Sequence, residues 1–242
     1  LFHLLKSKQQ TIYQMQTGGG QPHVYARDFD DFEIPLPPIE LQQNIVDELE
    51  INQKIIDGCK QVTENYKPII DVDPSWEMIE LKKLIKLSSG QGLTKKDFRI
   101  GEFEVFGGNG IAGHHDDFFI KDKTVVIGRV GANCGSVHLT SKNCWITDNG
   151  LYVKEILKPI NLEYLAIILR KLNLNQYAKV GGQPSISQGE ILSLSIPLPE
   201  LSIQNELISQ SNHIQKLVNQ NNELIKLYSQ KSENKINQIW GN

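Results

Sequence analysis

The sequence predicts an α+β protein in which a mixed, loop-rich domain is combined with two long helices that form an antiparallel coiled coil. A proline-rich motif occurs twice, 162 residues apart, as IPLPPIELQQNIV from Ile34 and as IPLPELSIQNELI from Ile196. A polar, helix-forming stretch follows each copy, whereas glycine turns and short apolar runs fill the sequence between the copies. This alternation favours helices and sheet in separate parts of the chain.

The repeat extends upstream in the same register, because Gly19-Gly20-Gln21-Pro22 precedes the first copy and Gly181-Gly182-Gln183-Pro184 precedes the second. Solenoid repeats have periods of roughly 20–50 residues, so this longer period indicates duplication of a whole domain unit. Proline fixes φ and lacks an N–H, so Pro-Leu-Pro is excluded from a helix interior but suits its first turn. The motif therefore predicts a rigid joint between a globular unit and a helix.

Each predicted helix carries a heptad seam whose members are spaced alternately by three and four residues. Two imperfect seams of equal length predict antiparallel pairing across the intervening domain, with two separately docked surface helices as the alternative. The seam residues are Ile45, Leu49, Asn52, Ile56, Cys59, Thr63 and Tyr66 in the first helix and Leu207, Ser211, Ile214, Val218, Asn221, Ile225 and Tyr228 in the second.

Four segments are expected along the 242 residues. They are the C-terminal remnant of a first globular domain at 1–36, a long helix and linker at 37–71, a complete mixed domain at 72–197 and a second long helix at 198–242. The chain starts at Leu1 without an initiator methionine, and only about three dozen residues precede the first helix, so we expect that most of the first domain is missing.

Charge and cysteine usage restrict the class of protein. The net charge is −3, but residues 72–196 carry +2 and residues 38–71 carry −4. Three cysteines without a CxxC spacing indicate a reducing compartment rather than a disulfide scaffold or zinc site. No signal peptide or long apolar run is present, so we expect a cytoplasmic protein that does not enter a membrane.

Several motifs suggest chemistry that their context does not support. Gly108–Gly113 matches GxGxxG and Phe106–Gly110 matches the FxGxG loop of adenine methyltransferases, but neither a following helix nor a catalytic Asn-Pro-Pro-Tyr motif accompanies them. His114–Asp117 contains metal-ligand types, yet no further His or Cys stands at ligand spacing. We therefore predict no catalytic residue and no metal site.

Polar residues in glycine-rich loops are the remaining candidates for function. Lys and Arg neutralise phosphates, while Arg, Asn and Gln can make paired contacts with base edges in the major groove. The predicted DNA-binding residues are Gln91, Thr94, Lys95, Lys96, Asn109, Arg129, Asn133, Lys142, Asn143, Lys179 and Gln183.

Seven short motifs occur in order along nearly the whole chain. They are Pro74-Ser75-Trp76-Glu77, Ser88-Ser89-Gly90, Phe106-Gly107-Gly108-Asn109-Gly110-Ile111, Val126-Ile127-Gly128-Arg129-Val130-Gly131, Trp145-Ile146-Thr147-Asp148-Asn149, Gly181-Gly182-Gln183-Pro184-Ser185-Ile186-Ser187, and Ile196-Pro197-Leu198-Pro199 with Gln204. In this order and spacing, the chain resembles the specificity (S, or HsdS) subunit of type I restriction-modification systems.

The resemblance implies two target recognition domains, each followed by a long helix, with residues 72–197 as the second domain and residues 1–36 as the remnant of the first. It implies a non-catalytic, DNA-binding subunit of a bacterial defence complex that reads one half of a bipartite double-stranded target and needs no cofactor of its own. Methyltransferase (M) subunits that use S-adenosylmethionine and restriction (R) subunits that use ATP are the implied partners. The expected docking residues are Ile45, Leu49, Ile56, Tyr66, Leu207, Ile214, Val218, Ile225 and Tyr228.

Two other interpretations remain open from the sequence. The chain could be the recognition module of a type IIG-like restriction-modification enzyme, or a helical scaffold whose globular domain binds protein. The incomplete first domain also leaves open whether the chain acts alone or pairs with a second copy of itself.

Overall fold

The computed structural model describes residues 1–17, 22–66, 70–179 and 182–240. Within the two repeated Gly-Gly-Gln-Pro motifs, residues 19–21 and residue 181 lie outside the described residues. The helices are α1 (Phe2–Ser7), α2 (Gln9–Gln14), α3 (Ile39–Asn65), α4 (Leu162–Lys171), α5 (Gln188–Leu192) and α6 (Leu201–Trp240). The strands are β1 (Met78–Glu80), β2 (Ile85–Ser89), β3 (Phe103–Gly107), β4 (Gly110–His115), β5 (Val125–Gly128), β6 (Val137–Leu139), β7 (Trp145–Ile146), β8 (Gly150–Ile156) and β9 (Ser195–Pro197).

The chain forms two compact units. One consists of Leu1–Pro68 with His213–Asn242 and is called the helical unit here, and the other, Ile69–Asn212, is called the sheet unit. Helix α6 begins in the sheet unit and ends in the helical unit. The α+β class predicted from the sequence is confirmed.

In the helical unit, α3 pairs with the C-terminal part of α6. Glu48 Oε2 lies 2.5 Å from Lys235 Nζ, and Asn52 Nδ2 donates to Ser232 Oγ at 3.2 Å. Residue numbers rise along α3 while those of its partners fall along α6, so the pair is antiparallel, as predicted. The buried stripe of α3 consists of Ile45, Leu49, Asn52, Ile56 and Cys59.

The structure differs from the predicted seam at the last position of the first helix and at the first two positions of the second, which an antiparallel pairing places at the same end. Tyr66 is 56% exposed just beyond the end of α3, so it does not pack in the helix pair. Leu207 and Ser211 belong to the sheet unit, where Leu207 packs against the core, because the first turns of α6 close that core. The half-buried positions of α6 within the helical unit are Ile214, Val218, Asn221, Ile225, Tyr228, Ser232, Lys235, Ile236 and Ile239.

The sheet unit is layered around a four-stranded antiparallel sheet of order β2-β8-β5-β6. In β5, Val125 and Ile127 belong to the main core, which also contains Leu165 and Leu169 of α4. Val126 points to the opposite face, because side chains alternate along a strand, and it belongs to a second cluster with residues of the sheet β4-β3-β7. Helix α4 and the three-stranded sheet therefore cover opposite faces.

One end of the four-stranded sheet gathers several loops. The antiparallel register places Ser89 opposite Leu151, Gly128 opposite Gly150, and Ile127 opposite Val137. The loops that leave β2 and β5, and those that lead into β8 and β6, consequently lie side by side. This end carries most of the predicted DNA-binding residues.

The duplication is visible as repeated hydrogen bonds. Gln42 Nε2 donates to Pro37 O at 2.7 Å, and Gln204 Nε2 donates to Pro199 O at 2.8 Å, so each long helix is tied to its proline motif in the same way. Two further features recur at the same offset. The backbone of Thr17 pairs with that of His23 as Lys179 pairs with Ser185, and Tyr25 N donates to the Asp28 side chain as Ser187 N donates to that of Glu190.

The two copies differ in what covers the segment before the proline motif. In the second copy, β9 pairs with β1, and Ile196 is 0% exposed. In the first copy, Glu33–Pro35 has no strand partner among the described residues, and Ile34 is 37% exposed beside an apolar cavity of about 250 Å³. Equivalent isoleucines therefore have different environments.

We predict that Ile196→Ala destabilises the sheet unit by roughly 2–5 kcal/mol, because it removes fully buried methyl groups and leaves a cavity. Ile34→Ala is expected to cost less than about 1 kcal/mol, since its side chain already contacts solvent. Urea unfolding measures both in a Trp240→Phe background, in which tryptophan fluorescence reports the sheet unit through Trp76 and Trp145 while far-UV circular dichroism reports the helices. Equal losses would show that the two copies are packed alike, against the structure.

Candidate nucleic-acid interface

The polar loop cluster consists of the loops at 90–94, 107–110, 129–136 and 147–149, together with residues 182–185. Backbone hydrogen bonds hold these segments together at the end of the four-stranded sheet. Gly90 N donates to Gly150 O at 3.0 Å, Arg129 N donates to Asn149 O at 3.0 Å, and Gly131 N donates to Pro184 O at 2.9 Å. The backbones that carry the side chains of these loops are therefore held together by hydrogen bonds at the end of the sheet.

The β3–β4 turn reaches this cluster only because the backbones touch. A Cβ on Gly128 would lie 1.9 Å from Gly108 O, so no larger residue fits there without displacing the turn. Ser136 Oγ donates to the same carbonyl at 2.6 Å. Gly110 closes the turn with φ of +91°, a conformation that favours glycine.

A cavity of about 290 Å³ opens between the turn and the neighbouring loops. Three of the predicted DNA-binding residues line it, namely Asn109, Asn133 and Gln183, and Asn149 lines it as well. All three predicted residues are exposed. Four amide side chains around one cavity offer several donor and acceptor groups, which is the chemistry that recognises base edges.

Arg129 is half-buried next to this cavity. Its guanidinium donates through Nη1 to Ser89 Oγ at 3.2 Å, and its carbonyl accepts from Ile186 N at 2.9 Å. No acidic side chain forms an ion pair with it among the residues that the structure describes. The side chain therefore brings a positioned positive charge to the loop cluster.

The loop after β2 begins in the cluster and then leaves it. Gln91 is anchored there, because its N–H donates to Ile146 O at 2.9 Å and its carbonyl accepts from Trp145 Nε1 at 3.2 Å. Thr94 stands at the N-cap position of a short 3-10 turn that carries Lys95 and Lys96, and its Oγ1 donates to Asp97 Oδ2 at 2.5 Å. Both lysines are exposed.

Lys179 lies at the edge of the cluster, with its backbone paired to Ser185. Its ammonium group is 3.6 Å from Glu190 Oε1. Hydrogen bonds from Ser187, followed by the nearby Lys179, lower the pKa of Glu190. A carboxylate that remains ionised offsets part of the charge of Lys179 at this edge.

The structure does not bring Lys142 and Asn143 together with the other predicted residues. Their turn lies at the opposite end of the four-stranded sheet, where Thr140 N donates to Thr124 O at 2.8 Å and Asn143 N donates to Lys121 O at 3.1 Å. Asn143 has φ of +52° and serves the turn itself. The reason for the difference is the strand register, which separates the two ends of β5 and β6.

Two residues of this surface were not among the DNA-binding residues predicted from the sequence. Asn149 belongs to one of the seven motifs, but nothing in its spacing showed that it faces Asn109. Arg170 lies on the amphipathic helix α4, which indicates packing rather than binding; its Nε donates to Val137 O at 2.9 Å, and it lines two further cavities with Asn109. Burial lowers the pKa of its guanidinium, so an anion near it would favour the charged form.

The motifs set aside in the sequence have structural roles. Gly108–Gly113 spans the β3–β4 hairpin and is not followed by a helix. His115 Nδ1 accepts from Arg99 N at 3.0 Å, and Arg99 Nε donates to both carboxylate oxygens of Asp116. In the described ranges, no three His, Cys, Asp or Glu side chains are placed to hold a metal ion, and no helix is long and apolar enough to cross a membrane.

The fold is similar to that of solved S subunits of type I restriction-modification systems. The crystal structure from M. genitalium matches with a TM-score of 0.63 at 15% identity and covers 98% of this chain and 71% of that one. The HsdS subunit from Thermoanaerobacter tengcongensis matches with a TM-score of 0.54 at 17% identity and covers 98% and 68%. At such identities, the similarity concerns the fold.

The sequence comparison identifies the family. The type I restriction modification DNA specificity domain matches residues 1–64 and 74–237, and the chain belongs to this family. The specificity subunit of the Escherichia coli type I restriction enzyme EcoprrI is 29% identical over 131 residues, which is 51% of this chain. The chain spans only 32% of the length of that relative.

Proposed function

We propose that residues 72–197, which lie within the sheet unit (Ile69–Asn212), form a target recognition domain that reads one half of a bipartite DNA site in a type I restriction-modification complex. The observation that supports this most directly is the amide-lined cavity with Arg129 beside it. Asn and Gln can pair with the N6 and N7 edge of adenine, and Arg with the O6 and N7 edge of guanine. Fixed loops favour such contacts because little ordering is needed on binding.

Contacts with phosphates would position the duplex on these loops. Arg170 lines cavities beside the cluster, and Lys95 and Lys96 are exposed on the loop that leaves it; all three can neutralise phosphate charge without reading sequence. Lys179 would contribute less, because Glu190 shares its charge. The proposal therefore assigns base reading to the cavity and duplex positioning to its rim.

The helix pair is proposed as the docking platform for M subunits, with R subunits joining in the complete complex. Helix α3 has 27 residues, or roughly 40 Å at 1.5 Å per residue. One turn of DNA is roughly 34–36 Å. A helix pair of this length would therefore hold two recognition domains about one turn apart, which suits a target with unread base pairs between its halves. Segment 1–36 is proposed to be the C-terminal end of a first recognition domain.

In this proposal, the chain acts in the cytoplasm and is not catalytic. The M subunits would bind S-adenosylmethionine and transfer the methyl group to adenine, and the R subunits would use ATP. The chain would then determine the DNA sequence at which the partner subunits act.

The test is to copurify the chain with the M subunit of its own system and to sequence the methylated sites in a random DNA library. One adenine-containing motif is expected. Gln183→Ala is expected to relax that motif at one position by about 1–3 kcal/mol, which is roughly a 5- to 150-fold loss of discrimination. Gln220→Ala, an exposed amide on α6, is the matched control and should leave the motif unchanged.

The outcomes separate recognition from scaffolding. Methylation without any preferred motif, by a complex that does form, would contradict the recognition role. If no complex forms, the docking role proposed for the helix pair is contradicted, and the affinity of the chain alone for duplex DNA then tests recognition.

A further inference from the structure

A second surface of the sheet unit lies at the end opposite the polar loop cluster. A groove of about 490 Å³ runs between the segment before β5 and the second half of β8. Residues 119–124 form one wall and residues 152–156 form the other, with Leu162 at the end. Predicted base-reading loops do not contribute to it.

Lysines dominate the charge of this groove. Lys121, Lys123 and Lys154 are exposed on its walls, and none of them forms an ion pair within the described part of the chain. Of its two acidic residues, Glu155 already accepts from Lys86 Nζ at 2.7 Å, which leaves Asp122 to offset three ammonium groups. The groove is therefore positive, although the chain as a whole carries −3.

The lysines are held on a fixed backbone. Thr124, the residue that leads into β5, donates through Oγ1 to Val153 O at 2.7 Å and through its N–H to Thr140 Oγ1 at 3.0 Å. Both bonds are buried, so the wall that carries Lys121 and Lys123 is attached to β8 and to the turn before Lys142. Asn143 N donates to Lys121 O, which places the turn that carries Lys142 beside the backbone of this wall.

The distance between the two surfaces suits one duplex. Strand β8 runs from the loop cluster at Gly150 to the groove at Ile156, and its 7 residues span roughly 20 Å. This is less than the roughly 34–36 Å of one helical turn. A duplex whose base edges meet the cluster would have charged backbone within one turn of the groove, because DNA carries a negative charge about every 1.7 Å.

We propose that this groove, here called the lysine groove, binds the sugar-phosphate backbone of the duplex whose bases are read by the polar loop cluster. The inference rests on the proposed DNA-binding function and adds a sequence-independent contact to it. It also gives Lys142 a role, as a phosphate contact at a distance from the reading loops. An acidic protein surface is the competing occupant, and the test separates the two.

The experiment compares the intact chain with the triple variant Lys121→Gln/Lys123→Gln/Lys154→Gln. Fluorescence anisotropy measures the affinity for a target duplex and for a random duplex between about 50 and 300 mM salt. Each phosphate contact contributes about −0.9 to the slope of log affinity against log salt concentration. In the triple variant the slope is expected to become less negative by roughly 2–3 for both duplexes, with the ratio of the two affinities unchanged.

The matched control is Lys60→Gln/Lys216→Gln/Lys226→Gln, which removes the same charge from exposed positions on α3 and α6. It should retain the slope of the unmodified chain, and circular dichroism verifies that both variants are folded. If the unmodified chain binds the duplex and both triple variants give its slope, the lysine groove does not contact DNA. If the Lys121/Lys123/Lys154 variant retains the slope but no longer copurifies with the M subunit, the groove is assigned to a protein partner instead. If the unmodified chain binds no duplex at any salt concentration, the proposed function fails together with this inference.

Discussion

Replacing Gly128 by alanine is expected to destabilise the sheet unit by roughly 2–4 kcal/mol and to abolish the DNA recognition proposed for it. The added methyl group would lie 1.9 Å from Gly108 O and 2.9 Å from Ser136 Oγ. Relief requires the turn to move away from β5, which opposes the dense packing of the interior. The movement would break the Ser136 hydrogen bond to Gly108 O and displace Asn109 from the amide-lined cavity.

Gly92→Ala is the matched control for this prediction. It makes the same chemical change in the loop after β2, but nothing lies within 4 Å of the new atom, so an effect within about 0.5 kcal/mol is expected. Urea unfolding followed by tryptophan fluorescence measures both changes, and hydrogen exchange measures protection of residues 103–115. If the two alanine variants had equal stability and equal protection, the turn would not be seated against β5.

The long helices could be predicted because their signal is local. Three- and four-residue spacing of Ile45, Leu49, Asn52 and Ile56 specifies a helix face, and the equal length of the second seam suggested its partner. The ends of the pairing could not be read in this way. Leu207 continues the heptad pattern but contacts the sheet core, and only the tertiary structure shows where α6 changes its neighbours.

The candidate site was predictable in composition but not in arrangement. Asn109, Asn133 and Gln183 stand in glycine-rich loops, which identify exposed polar positions. Their convergence depends on strand order, since β5 lies between β8 and β6. The same order separates Lys142 from them, although that residue looks equivalent in the sequence.

Arg170 is a residue of the candidate site that the sequence pattern did not indicate. Its helical spacing among leucines and isoleucines indicates a surface position on a packed helix, which is correct as far as it goes. That this surface faces the β3–β4 turn follows from contacts across the fold. Function at such a position cannot be inferred from local pattern.

The second large effect is expected at Gln204, which attaches the start of α6 to the sheet unit. The side chain is 0% exposed and uses both ends of its amide. Nε2 donates to Pro199 O at 2.8 Å, and Oε1 accepts from Asn161 N at 2.9 Å. Asn161 is also the N-cap of α4, because its side chain accepts from Glu163 N and Tyr164 N. One amide therefore joins the ends of two helices.

Gln204→Leu is expected to destabilise the sheet unit by roughly 2–5 kcal/mol. The change keeps the volume but leaves a carbonyl and an N–H without their partner, and each buried orphan group costs about 1–3 kcal/mol. Hydrogen exchange should show the loss as faster exchange at residues 161–165 and 201–208. The exchange of α3 serves as the internal reference.

Gln204→Glu tests the same bonds through pH. A buried carboxyl without a cationic partner has its pKa raised in the folded state, and only the protonated form can donate to Pro199 O. Because the folded state then binds the proton more tightly than the unfolded state, stability relative to the unmodified chain should fall as pH rises from about 4 to 7. A pH-independent difference would show that the side chain is not held in this pair of hydrogen bonds.

The repeat supplies the control, because Gln42 occupies the equivalent position at the start of α3. It is half-buried and makes the bond to Pro37 O, and within the described part of the chain it has no second bond like that from Asn161 to Gln204. Gln42→Leu should therefore cost about 1 kcal/mol, and Gln42→Glu should show little of the pH dependence, since solvent reaches the carboxylate. If the changes at Gln42 were as large as those at Gln204, the joint itself would determine stability in both copies, and the contact with α4 would add nothing.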